Sequence, residues 1–121
     1  MYDKNNVFAR ILRGEIPSDK VYENEYAYSF RDIEPAASNH VLIIPRGEYT
    51  DILDFAKNAT PEEQVGFWDA FAKTAKVQVI DGDFNTFANT GNGVYINQAV
   101  PHFHMHLIYG EKIKELVDLA K

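Results

Sequence analysis

Three of the four histidines fall in the run Val100-Pro101-His102-Phe103-His104-Met105-His106-Leu107-Ile108, each separated from the next by one residue. In an extended chain, side chains two apart point the same way. His102, His104 and His106 therefore line one face over about 13 Å, at roughly 3.3 Å per residue. Phe103, Met105, Leu107 and Tyr109 line the other face and can pack on a core. Imidazole titrates near neutral pH, so one ring can be neutral and nucleophilic while its neighbours donate hydrogen bonds. A neutral imidazole can attack phosphorus and carry the transferred group covalently. Flanking rings can donate to the non-bridging oxygens as charge builds. His104, with a histidine on either side, is the natural nucleophile. A zinc site is the rival reading, because three imidazoles can hold the ion and leave one position open. Donors two apart on a flat strand are spread along a line, so convergence on one ion needs another element, and His40 is the candidate.

The elements that must hold this row can be read from pattern and punctuation. Val7, Phe8, Ile11 and Leu12 recur at helical spacing, with Asn5 or Asn6 as cap and Gly14 as stop. Lys20 to Glu23 and Tyr26 to Asp32 read as strands around a turn near Asn24. Tyr26, Tyr28 and Phe30 share one face of the second strand, and Ala27, Ser29 and Arg31 the other. Glu34-Pro35 and Ser38-Asn39 mark a loop. His40 opens the strand Val41 to Pro45, whose consecutive aliphatics predict cover on both faces. Ile52, Leu53 and Phe55 suggest a short helical turn. Thr60-Pro61-Glu62-Glu63 is a helix start with a capping box. The expected apolar stripe of that helix is Val65, Trp68, Phe71, Ala72, Ala75 and Val79. Phe84 to Asn89 reads as a strand, Thr90 to Ala99 as a polar loop, Val100 to Tyr109 as the last strand and Lys112 to Lys121 as a helix. Strands and helices mix without βαβ alternation, which predicts an α+β fold with an antiparallel sheet.

With 121 residues the chain is one domain, 1–121, with room for a real core. The net charge of −6 argues against binding a long nucleic-acid backbone, yet leaves room for a small phosphate held by local donors. There are no cysteines, so disulfides, thiolate zinc sites and cysteine nucleophiles are excluded. The polar start and the short apolar runs give no sign of a leader or a membrane span, and the expected compartment is the cytoplasm.

The His102–His106 run followed by Leu107-Ile108 resembles the signature of the histidine triad (HIT) family. Phe8-Ala9-Arg10-Ile11-Leu12-Arg13-Gly14-Glu15-Ile16-Pro17, Val21-Tyr22-Glu23, Phe30-Arg31-Asp32-Ile33-Glu34-Pro35 and His40-Val41-Leu42-Ile43-Ile44-Pro45 are similar to its Hint-like branch. The resemblance implies a five-stranded antiparallel sheet with two main helices, in a homodimer whose sheet runs on into the partner. It implies hydrolysis at the α-phosphate of a purine nucleotide, typically of the P–N bond of a nucleoside phosphoramidate, with neither a metal nor a cofactor. In that reading His104 forms a nucleotidyl-histidine intermediate. His102 and His106 bind phosphate oxygens, help protonate the leaving group and orient the nucleophile, and His40 supports the cluster. Asp32 takes the ribose hydroxyls, as a carboxylate can. Val7, Phe8, Ile11, Phe30 and Ile33 wall the base, and Asn89, Gln98 and Ala99 lie nearest the phosphate. The chain departs from the branch at Ala99, where a phosphate-binding Ser is frequent, and at Asn97, where Gly is common. Asn6 and Ala9 stand where many bacterial members carry two zinc-binding cysteines. The missing serine keeps a second function in view, a nucleotide-binding or scaffold protein with little catalysis.

Overall fold

The structure is a computed structural model that describes residues 1–32, 39–79, 82–93 and 96–110. Helix α1, Val7–Leu12, starts where the Asn6 side chain accepts from the Ala9 amide, and Gly14, at φ +79°, turns the chain out of it. Strands β1 (Lys20–Glu23) and β2 (Ala27–Arg31) are joined by a turn in which Asn24 Oδ1 accepts from the amides of Tyr26 and Ala27. Tyr26 thus belongs to the turn, and β2 begins one residue later than its pattern suggests. Strand β3, Asn39–Pro45, is followed by α2 (Ile52–Asn58) and α3 (Pro61–Gln78). Strands β4 (Asn85–Phe87) and β5 (Met105–Tyr109) complete one antiparallel sheet in the order β1-β2-β3-β5-β4. The expected five-stranded α+β architecture is what the structure has.

β3 is central and buried from His40 to Pro45. Val41 and Ile43 join Phe55, Phe67 and Phe103 in the larger core beneath α3, while Leu42 and Ile44 pack with Phe8 and Phe30 under α1. Both faces are covered, which is why this strand is aliphatic at successive positions. The odd-numbered residues from Phe103 to Tyr109 fall in the larger core, as the alternation predicts.

Three elements differ from their sequence reading. The helix α3 buries Gly66, Phe67, Ala70 and Thr74, and half-buries Phe71 and Ala75, whereas Val65, Trp68 and Ala72 face solvent. The stripe is rotated because Gly66 seats Tyr26: a Cβ there would lie 2.4 Å from Tyr26 Cδ2. Thr74 is buried too, its hydroxyl 2.7 Å from that of Ser29, and a hydropathy pattern hides both positions. The last strand spans five residues and not ten. Its ladder ends opposite Ile43 because Pro45 offers no N–H. β4 spans only Asn85–Phe87 of the expected 84–89. The expected helix at 112–121 lies outside the described residues. Among the described residues no helix is long and apolar enough to cross a membrane.

Candidate active site: the histidine cluster and its cavity

Shortening β5 changes how the histidines are presented. Only His106 sits in the strand; His102 and His104 lie in the segment that leads into it. That segment is pinned by the Phe103 amide, which donates to the Tyr49 carbonyl at 2.8 Å. The three rings therefore do not form one uniform row. His102 is wholly buried, with Nε2 2.8 Å from the Pro45 carbonyl. A carbonyl only accepts, so Nε2 carries the proton. His104 Nδ1 lies 2.8 Å from the His102 carbonyl and donates by the same argument, so its Nε2 bears the lone pair. That Nε2 has no hydrogen-bond partner among the described residues, and the ring lines a cavity of about 400 Å³.

His106 lines the same cavity, its ring 4.9 Å from that of His104. Two neighbours fix its plane: Phe87 of β4 stacks on it at 4.5 Å and 11°, and His40 Nε2 lies 2.8 Å from its Nδ1. His40 Nδ1 in turn lies 3.6 Å from Asp32 Oδ2. The result is a chain of carboxylate, imidazole and imidazole that ends at His106 Nε2, a buried nitrogen without a partner among the described residues. A buried polar atom left unpaired calls for an explanation, and a ligand in the cavity supplies one. Asp32, His40 and His106 also each offer an atom within 4.8 Å of the others, close enough for one cation. Two of those rings already share a hydrogen bond.

Burial lowers the pKa of all four histidines. It pushes His102 down to about 4 and His106 to about 3, and holds His104 and His40 below the usual imidazole range, with Asp32 pulling both back up. At neutral pH every ring is uncharged, the state in which an imidazole attacks. This has a stability consequence. His102 in the unfolded chain takes up its proton near 6.5, in the folded chain near 4. The unfolded state thus binds more protons between those values, and stability falls as pH drops through the window, by about 3 kcal/mol for this residue. Denaturant midpoints at pH 7 and pH 4.5 are expected to differ accordingly, and equal midpoints would contradict the buried neutral ring.

The remaining cavity wall is mostly apolar. Val7, Phe8, Ile11, Phe30 and Ala99 line it, as does Asp32 at its polar end. Phe8 sits edge-on to Phe30 at 5.5 Å and to His104 at 4.9 Å. Of the other sequence candidates, His102 and His40 lie behind this wall and Asn89 is not part of it. Gln98 turns its side-chain amide away, donating to the carbonyls of Thr50 and Val100 at 2.6 and 2.9 Å, and so fastens the loop that carries Ala99. Ile33 lies outside the described residues. Ile16, Pro17, Ser18, Arg31, Leu42 and Val100 also line the cavity. They were missed because each reads as an ordinary turn or core residue. Phe87 was missed because a ring stacked on a histidine leaves no local sequence signal. The long polar loop closes on itself through Gly93 N to Ile96 O at 3.0 Å and Gln98 N to Gly91 O at 2.8 Å.

Comparison with known proteins places this arrangement. The HIT domain family matches residues 13–113. An uncharacterized 13.2 kDa HIT-like protein of Azospirillum brasilense is 43% identical over 117 residues, covering 96% of this chain and 94% of that one. The adenosine 5'-monophosphoramidase HNT1 of Saccharomyces cerevisiae is 38% identical over 106 residues, 84% of this chain and 60% of the yeast protein. Among solved structures, a HIT family hydrolase from Clostridium thermocellum superposes with a TM-score of 0.77 at 30% identity, over 92% of this chain and 95% of that one. Fold, histidine spacing and family match agree, and the chain belongs to the HIT domain family.

Proposed function

We propose that this protein is a nucleoside phosphoramidase, which hydrolyses the P–N bond at the α-phosphate of a purine nucleotide through a nucleotidyl-histidine intermediate. The observation that carries the reading is the His104 ring, which lines a mostly apolar cavity ending at Asp32 and has no partner for Nε2 among the described residues, beside His106, whose Nε2 is orphaned as well. The similarity to the yeast adenosine 5'-monophosphoramidase supports it.

The base enters between Val7, Phe8, Ile11 and Phe30, and the ribose hydroxyls reach Asp32. His104 Nε2 attacks phosphorus, and the His102 carbonyl steadies the positive charge that develops on the ring through Nδ1–H. The P–N bond breaks and the amine leaves with a proton from His106. The bound phosphate anion raises the pKa of His106 from the low value that burial gives it, and Asp32 and His40 stabilise the added charge from behind. Water then attacks the intermediate, gives its proton back to His106 and releases the nucleoside monophosphate and free His104. The direct test is turnover of adenosine 5'-phosphoramidate with and without a chelator. Equal rates are expected. Abolition by the chelator would favour a metal held at Asp32, His40 and His106, and micromolar AMP binding without turnover would favour a binding protein.

We also infer that the working form is a homodimer joined along β4. That strand is an outer edge of the sheet, and next to it Trp68, Phe71 and Phe84 form a row of aromatic rings of which Trp68 is 46% exposed and Phe84 40%. Sedimentation is expected to give a dimer for the native chain and a monomer for Trp68→Glu. A native monomer at micromolar concentration would refute this assembly.

A further inference from the structure

The first histidine of the run has a partner that no catalytic reading asks for. His102 Nδ1 lies 2.6 Å from the hydroxyl of Tyr2, across nearly the whole length of the chain. Nε2 of this neutral ring holds its proton on the Pro45 carbonyl, so Nδ1 carries a lone pair and the tyrosine O–H donates to it. The Tyr2 ring stands edge-on to the imidazole, with centroids 5.6 Å apart at 65°. The segment that delivers Tyr2 is itself fastened. Asn6 Nδ2 donates to the Asp3 carbonyl at 2.7 Å while its Oδ1 caps α1, and Arg13 Nη1 donates to the Lys4 carbonyl at 2.8 Å.

We propose that Tyr2 is a positioning residue for the nucleophile: its hydroxyl satisfies the remaining ring nitrogen of His102 and thereby fixes the carbonyl that takes the Nδ1 proton of His104. The proposal deepens the phosphoramidase reading and depends on it for its kinetic half. The physical case is one of alternatives. His102 is wholly buried, so without the hydroxyl its Nδ1 lone pair has no partner and no access to water. The ring can relieve this by tilting or by moving its proton to Nδ1, and either change breaks the bond to Pro45 and shifts the His102 backbone. His104 then loses the acceptor that selects its reactive tautomer. Tyr2 does not line the cavity, so nucleotide binding is unaffected.

The test is Tyr2→Phe in the full chain, read by steady-state kinetics with adenosine 5'-phosphoramidate and by imidazole 15N NMR of the free protein. The expected result is a kcat lowered about three- to tenfold at unchanged KM. The His102 Nδ1 resonance moves downfield to that of an unbonded ring nitrogen, and the His104 signals shift with it. An unchanged kcat overturns the proposal. So does a fall in kcat with the His102 and His104 resonances unmoved, which would mark a general loss of packing. The native chain supplies a check that needs no variant: His102 must be the Nε2–H tautomer, and an Nδ1–H tautomer overturns the proposal. A native chain that turns over no phosphoramidate defeats the functional reading, while the tautomer and the resonance shift still decide whether Tyr2 orients His104.

Discussion

Replacing His104 with alanine is expected to lower turnover of adenosine 5'-phosphoramidate by about four orders of magnitude or more, while AMP affinity changes by less than about tenfold. The asymmetry follows from what the ring touches. Among the described residues of the cavity wall, His104 is the one histidine with a tautomer fixed for attack and no partner for Nε2 to give up. Binding, by contrast, is spread over Phe8, Phe30, Ile11 and Asp32; Phe8 meets the imidazole edge-on, but Phe30, Leu42 and Ile44 also hold it in place. Alanine removes the nucleophile and adds a little space. Single-turnover kinetics with calorimetry on the same preparation separate the two effects. Turnover within tenfold of native would move the nucleophile elsewhere, and a parallel loss of affinity would make His104 a binding residue.

The second large effect is expected at His106, and it depends on the leaving group. An amine must be protonated to leave, and general-acid assistance contributes about 10²–10⁴-fold. His106→Phe keeps a ring for Phe87 to stack on but removes both nitrogens, so phosphoramidate turnover is expected to fall by about that factor. A p-nitrophenyl ester of AMP releases a stable anion that needs no proton, and its turnover is expected to fall by less than about tenfold. Equal losses for both substrates would show that His106 only holds phosphate. Its orphaned Nε2 and its link through His40 to Asp32 are the reasons to expect the unequal result.

The sequence carried the fold where one physical demand shaped a run of residues. The aliphatics from Val41 to Ile44 announce a strand covered on both faces, and Thr60 with Glu63 fixes the start of α3 to the residue. It failed where a single tertiary contact overrode the local pattern. Gly66 and Thr74 are buried by Tyr26 and Ser29, which no helical periodicity foretells, while Trp68 is left outside. The histidine row was legible as a row, but the hydrogen bonds that set each ring apart were not. Alternation placed the three rings on one face, whereas Pro45 ends the ladder and sends His102 inward to its own carbonyl. The cavity wall follows the same rule. Phe8 and Phe30 could be picked by resemblance, yet Phe87 and Tyr2 come to the histidines from distant parts of the chain, and only the folded sheet brings them there.

The covalent step is the claim on which the rest depends, and the stereochemistry at phosphorus tests it. The measurement is hydrolysis, in 18O-water, of an adenosine phosphoramidothioate of known configuration, with the configuration of the product read by 31P NMR. Attack by His104 followed by attack by water is two inversions, so the account predicts net retention. Net inversion would mean that water attacks the substrate directly, and His104 would then be no nucleophile.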